Sequence, residues 1–371
     1  MAVTIQELLR LAVEKEATDL HITTHIPPRL RIDGSLVSLD YPPMNAAETK
    51  RILYSLLNDR QKKMFEEKLE LDFSFGIKEM GRFRGNIFMQ KGAVAGAFRR
   101  FLPSMWSFSE LGLPQRLAQL CRLPRGLVLV TGPTGCGKST SLACMINYIN
   151  TERKVHIITI EDPIEYFFTP KKSIVNQREL LVDTLSYPNA LRSVLREDPD
   201  VVLVGEMRDL ETVESTLRVA ETGHLTFSTL HTNSAVETIS RIIDIFPSQY
   251  QAQIRIMLSM TLEAVITQAL LPRANGRGRV LAMELLIPNA AIRNLIRENK
   301  IHQIYATMQM GQETFGMQTF NQSLADLYLN RSITLETAME ITSKPQELTE
   351  IIQRKEGLKV TKKSFKPRQM R

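Results

Sequence analysis

The sequence predicts an α/β protein: a parallel sheet with crossover helices, preceded by a smaller α+β domain and followed by a helical region. Three observations predict it. Short apolar runs at 127–130, 155–160, 201–204 and 225–229 alternate with helical patterns, which is the rhythm of a parallel sheet. After the first run comes Gly132-Pro133-Thr134-Gly135-Cys136-Gly137-Lys138-Ser139-Thr140, then Leu142, Met145, Ile146 and Ile149 at helical spacing. Residues 1–101, by contrast, mix amphipathic helices with hairpin and alternating patterns.

Taken in order, Ile5, Leu8, Leu9 and Val13 mark one face of an opening helix. Leu20 to Thr23 alternates as a strand. Arg29 to Ile32, Asp33-Gly34, then Leu36-Val37 reads as a hairpin, because Asp-Gly suits the φ > 0 turn. A helix over 45–69 buries Leu53, Leu56, Leu57 and Phe65, and strands follow at 71–77, 82–90 and 93–101. Pro103, Pro114 and Pro124 punctuate residues 102–125, which read as a linker. Residues 126–272 hold the parallel sheet. From 273 to 354 the chain reads as helical, with helices at 290–298, 320–329, 335–342 and 346–354. No internal repeat is evident.

At 371 residues, 43% of them apolar and 23% charged, the chain has the composition of a soluble globular protein of two or three domains. No apolar stretch approaches the roughly 18 residues of a membrane span, and the start lacks the layout of a signal peptide. Cys121, Cys136 and Cys144 have no metal-ligand spacing, which points to a reducing cytoplasm. The net charge of +7 is concentrated in 355–371, where seven basic residues face Glu356 alone. With +6 in that tail, the body is close to neutral, so no nucleic-acid partner is expected. The tail cannot bury enough surface to fold alone; it is either a solvated end or an electrostatic contact for anionic membrane.

The segment Gly132–Thr140 fits GxxxxGK[ST] between a strand and a helix, the setting of a phosphate loop. Its glycines let backbone N–H groups curl around phosphate oxygens at a helix N-terminus. Lys138 can reach the β- and γ-phosphates of ATP, and the Ser139 hydroxyl can ligate Mg²⁺. Val201-Val202-Leu203-Val204-Gly205-Glu206 is a buried strand ending in an acid, whose carboxyl end should face the loop. Glu206 there orients and deprotonates the attacking water, or it caps the next helix. Gly205 stands where many such enzymes place an Asp, so Glu206 is expected to contact the metal through water. Ile158-Thr159-Ile160-Glu161-Asp162-Pro163-Ile164-Glu165 brings Glu161, Asp162 and Glu165 to a strand end, as a second set around Mg²⁺ or as a solvated turn. His224 and His231 bracket the strand at 225–229; they report on the γ-phosphate, are structural, or form part of a metal site. Arg82 and Arg84 alternate on one strand face, either as exposed charges or as the arginines that phosphoryl transfer often requires.

With these residues in view, the chain from Ala17 to Arg354 resembles the type IV pilus retraction ATPases of the secretion-ATPase superfamily. The shared motifs are the phosphate loop, the acid box at 158–166, Leu195-Arg196-Glu197-Asp198-Pro199-Asp200 with Gly205-Glu206-Met207-Arg208-Asp209, and the His box at 222–232. Ala291-Ile292-Arg293-Asn294-Leu295-Ile296-Arg297-Glu298 resembles the motif associated with retraction, with Arg293 and Arg297 making a basic helical face. The resemblance implies a PAS-like first domain, a RecA-like P-loop ATPase core and a homohexameric ring. It also implies that Arg82 and Arg84 act on a neighbour's ATP, and that the motor works at an inner-membrane platform protein of the pilus. The four-cysteine zinc insertion usual in extension and secretion ATPases of the superfamily is absent.

The expected function is therefore a cytoplasmic Mg²⁺-dependent ATPase motor, peripheral to the inner membrane, that retracts type IV pili. An accessory retraction ATPase is the alternative; such a paralogue is also a candidate partner. A DNA-translocating hexamer and a non-hydrolysing nucleotide-gated scaffold remain as readings from other classes.

Overall fold

The computed structural model describes residues 3–32, 34–78, 80–101 and 106–357. The expectations for the basic tail therefore lie outside the described residues from 358 onward. Packing divides the chain into two compact units. The first takes the described residues before Trp106 together with Pro163–Phe167, and the second takes the rest.

In the first unit the order is α1 (Ile5–Glu14), β1 (Asp19–Ile22), β2 (Arg29–Ile32), β3 (Ser35–Ser38), α2 (Ala46–Tyr54), α3 (Asp59–Lys68), β4 (Glu70–Ile77), β5 (Gly81–Gln90) and β6 (Ala93–Phe101). Antiparallel pairing gives the sheet order β3-β2-β1-β6-β5-β4. Leu8, Leu9, Leu20, Ile22, Leu53, Phe65, Phe83 and Phe98 are buried together beneath it. The helix expected over 45–69 is two helices. Asn45 and Asn58 each open one, with side chains that accept from the backbone of Glu48 and Gln61 and receive a return bond. Two capping boxes 13 residues apart forbid one continuous helix.

The second unit contains α4 (Leu117–Leu120), β7 (Gly126–Thr131), α5 (Lys138–Glu152), β8 (His156–Glu161), β9 (Ile174–Glu179), α6 (Tyr187–Val194), β10 (Val201–Val204), α7 (Leu210–Glu221), β11 (Leu225–Leu230), α8 (Ala235–Asp244), α9 (Ser248–Thr261), β12 (Leu262–Pro272) and β13 (Arg279–Leu286). Helices α10 (Ala290–Arg297), α11 (Ile304–Met310), α12 (Gln312–Phe315), α13 (Phe320–Leu329), α14 (Leu335–Ile341) and α15 (Pro345–Lys355) complete it. Its sheet runs β13-β12-β7-β11-β10-β8-β9, parallel except for the β12–β13 hairpin.

Within the segment 102–125 read as a linker, Leu113, Leu117, Leu120 and Cys121 are buried and belong to the second unit. One expectation is corrected: the chain does not turn helical at 273, because β13 is a strand and helices resume at Ala290. The run Leu262–Pro272 is apolar without alternation because β12 lies inside the sheet, so it carried no period of two to announce a hairpin. Among the described residues, no helix is long and apolar enough to cross a membrane.

Candidate functional site

In the second unit the register pairs Thr131 with Leu230, and Val204 with both Ile160 and Ser228. The carboxyl ends of β7, β8, β10 and β11 therefore share one edge, and the segments leaving them gather there. The loop after β7 is shaped by its glycines. Gly132 has φ +136°, and a Cβ there would fall 2.3 Å from the Gln268 carbonyl oxygen. Gly137, at φ +91°, opens α5, whose first-turn N–H groups have no intrahelical acceptors and so suit an anion. Cys136 is buried; Pro133, Thr134, Gly135 and Ser139 are exposed, and Thr140 is half-buried. Lys138 Nζ donates to the Gly132 carbonyl at 2.8 Å and the Pro133 carbonyl at 3.2 Å.

The same Nζ lies 3.5 Å from Nδ1 of His231, just past β11. On the other side of that ring, Nε2 is 3.2 Å from Glu206 Oε1. Arg208 Nη2 donates to Glu206 Oε2 at 2.8 Å. Burial pushes the Glu206 carboxyl up, but Arg208 and His231 outweigh it and hold the group below the usual range. Glu206 is thus an ionised, mostly buried acid. It does not cap α7; Asp209 does, accepting from Thr212 N at 2.9 Å.

Tyr187 belongs to this site and had no signal in the sequence. Burial, with Asp162, Glu161 and Glu206 nearby, raises its phenol well above the ordinary value, so it stays protonated. A Cβ at position 205 would meet its hydroxyl at 2.7 Å. A side chain at 205 would therefore require Tyr187 to shift. Gln268 was missed as well: it is buried, its carbonyl walls Gly132, and its amide donates to Ser141 Oγ at 2.7 Å.

Other expected residues are distributed differently. Glu161, at the end of β8, accepts from Thr159 Oγ1 at 2.6 Å and Gln177 Nε2 at 3.2 Å. Asp162 also lies in the second unit, and Glu165 belongs to the first. His224 sits at the opposite end of β11 from His231; Thr222 Oγ1 and the Val219 carbonyl lie 3.2 and 3.1 Å from its Nδ1. Arg82 and Arg84 share a face of β5 in the first unit, on either side of buried Phe83. Arg84 pairs with Asp72 at 2.6 Å, and Arg82 bonds Ser74 and lies 4.4 Å from the Phe167 ring.

Among the described residues no three His, Cys, Asp or Glu side chains converge as a metal site. The retraction-type segment forms α10, capped by Asn289, with Ile292 and Ile296 buried. Arg293 is not part of a free basic face. It donates to the Ser259 carbonyl at 2.9 Å and pairs with Glu263 at 3.0 Å, fastening α10 to the end of α9, whereas Arg297 donates to Asn294 Oδ1 at 3.2 Å and lies near Glu298.

A family model for type II/IV secretion system proteins matches residues 1–312. The type IV pilus retraction ATPase PilT of Pseudomonas aeruginosa is 47% identical over 342 residues, 92% of this chain and 99% of that protein. The type IV pilus ATPase PilU of the same organism is 40% identical over 334 residues, 90% of this chain and 87% of that protein. The crystal structure of the pilus retraction motor PilT with bound ADP matches at TM-score 0.88 and 54% identity, across 94% of this chain and 99% of that one.

Proposed function

We propose that this chain, which belongs to the type II/IV secretion system protein family, is an ATPase that drives retraction of type IV pili. One observation carries the chemistry: the loop lysine, His231 and Glu206 stand in an unbroken line at the carboxyl edge of a parallel sheet. Full-length likeness to a retraction ATPase carries the role.

In this reading Gly132 to Thr140 cradle the phosphates of ATP. Lys138 exchanges the Gly132 and Pro133 carbonyls for β- and γ-phosphate oxygens, and His231 senses that exchange. Glu206 orients a water in line with the γ-phosphorus and accepts its proton, yielding ADP and inorganic phosphate. Tyr187 keeps the space at Gly205 closed, so that Glu206 is the acid facing the water. The available donors, the Ser139 hydroxyl with the Glu206 carboxylate nearby and Glu161 and Asp162 beyond, are hard oxygens that suit Mg²⁺. An ion that draws most of its ligands from phosphate and water needs no three-residue protein cage. Bound there, Mg²⁺ would neutralise charge developing on the phosphates.

On the same reading the chain works as a homohexamer, with residues 1–101 as a PAS-like domain and 126–272 within a RecA-like core. Arg82 and Arg84 then reach a neighbour's γ-phosphate, for which Arg84 must leave Asp72. The motor is cytoplasmic and engages an inner-membrane platform protein of the pilus, and the basic segment 355–371 adds salt-sensitive contact with anionic lipid. Likeness to PilU supports a second reading, an accessory retraction ATPase working beside a paralogue.

The test is complementation of a host lacking its retraction ATPase, alongside ATPase activity and native mass. Restored twitching by an active hexamer is expected. Activity without twitching, unless the paralogue is also present, would favour the accessory role. Mixing inactive Arg84→Ala subunits with inactive Glu206→Gln subunits should restore turnover, because intact sites then lie beside intact arginines. No recovery at any ratio would remove Arg84 from a neighbour's site.

A further inference from the structure

On the α7–α8 side of Glu206 and His231 lies a cavity of about 340 Å³, and no residue of the phosphate loop lines it. Buried Met207, Val213 and Ile242 wall it internally, and exposed Arg208 and Arg241 stand on its outer side. At ~30 Å³ per water it has room for roughly ten, ample for a hydrated oxyanion. Arg241 projects from α8 one turn after Glu237, yet that acid is engaged elsewhere, accepting from Asn233 N at 2.8 Å. Among the described residues no carboxylate forms an ion pair with Arg241, so its guanidinium is available to a ligand.

We propose that this cavity is the exit for inorganic phosphate, with Arg241 as the residue that receives it. The inference rests on the reading that Glu206 orients the attacking water. In-line attack places that water opposite the leaving ADP oxygen. After cleavage the phosphate therefore lies between ADP, still held by the loop, and Glu206. Its route back is closed by ADP. The next space beyond Glu206 and His231 is this cavity, whose wall includes both residues. Guanidinium groups match the tetrahedral oxyanion in charge and hydrogen-bond geometry. Release of phosphate through the α7–α8 side also places the product step next to helices that pack on the body of the unit, away from the nucleotide.

The experiment uses the full-length protein with Arg241→Gln and Arg241→Lys. Rapid quench measures formation of ADP in a single turnover, and a fluorescent phosphate-binding protein reports free phosphate. The chemical step should stay within about twofold of the parent in both variants, while phosphate release slows about fivefold or more in Arg241→Gln and recovers within about twofold in Arg241→Lys. Unchanged release in Arg241→Gln would overturn the proposal, as would a chemical step slowed as much as release. A Glu206→Gln control separates the two levels: full hydrolysis there would overturn the underlying reading of Glu206, whatever Arg241 does.

Discussion

One imidazole joins the two ends of the site: His231 Nε2 stands 3.2 Å from Glu206 Oε1, and its Nδ1 stands 3.5 Å from Lys138 Nζ. The ring can thus pass the position of the loop lysine on to the strand-end acid. Its loss should leave the phosphate loop intact and misalign the acid. His231→Gln is expected to change ATP affinity by less than about threefold and lower kcat on the order of 10². Isothermal titration and steady-state turnover give the two numbers; a loss confined to affinity would make His231 a binding residue only.

The contact between Tyr187 and Gly205 makes a second prediction. A methyl at 205 would lie 2.7 Å from the phenol oxygen, with the Ile160 carbonyl oxygen next at 3.2 Å. Gly205→Ala should therefore destabilise the second unit by about 1–3 kcal/mol, the usual cost of overpacking. Adding Tyr187→Phe removes the clashing atom and should recover part of that loss. Thermal unfolding of the two single variants and the double closes the cycle. Strict additivity would mean that the contact does not set the residue at 205.

The candidate site is read from the sequence through signals that are local. A strand, a glycine-rich turn and a helix start lie within about twenty residues, and an apolar run ending in Glu206 points to the same sheet edge. Tyr187 and Gln268 were not legible. Their roles depend on where α6 and β12 bring them, and an aromatic at a helix start or an amide in an apolar run carries no spacing signal. The same limit explains β13. Hairpin formation at 262–286 is a property of register, not of composition.

Arg293 and Arg297 were indistinguishable by spacing, yet the fold separates them. Arg293 makes charge-assisted bonds to Glu263 and the Ser259 carbonyl while less than a quarter of its side chain is exposed. Arg293→Ala should cost about 1–3 kcal/mol of stability, and Arg297→Ala no more than about 0.5 kcal/mol. Any loss of pilus retraction in Arg297→Ala would then reflect function rather than folding. Denaturant unfolding of both variants decides; equal costs would contradict the anchoring role of Arg293.

The most direct test of the whole account is ATP binding and turnover measured side by side in Glu206→Gln. The substitution keeps the shape of the side chain but removes the carboxylate proposed to hold and deprotonate water. Binding within about threefold of the parent, with turnover lowered by 10² or more, is the expected result, roughly the range contributed by a positioned base. Lys138→Ala, as the opposite control, should lose binding itself. Turnover above about a tenth of the parent in Glu206→Gln would contradict the account and move the base to another acid, Asp162 first.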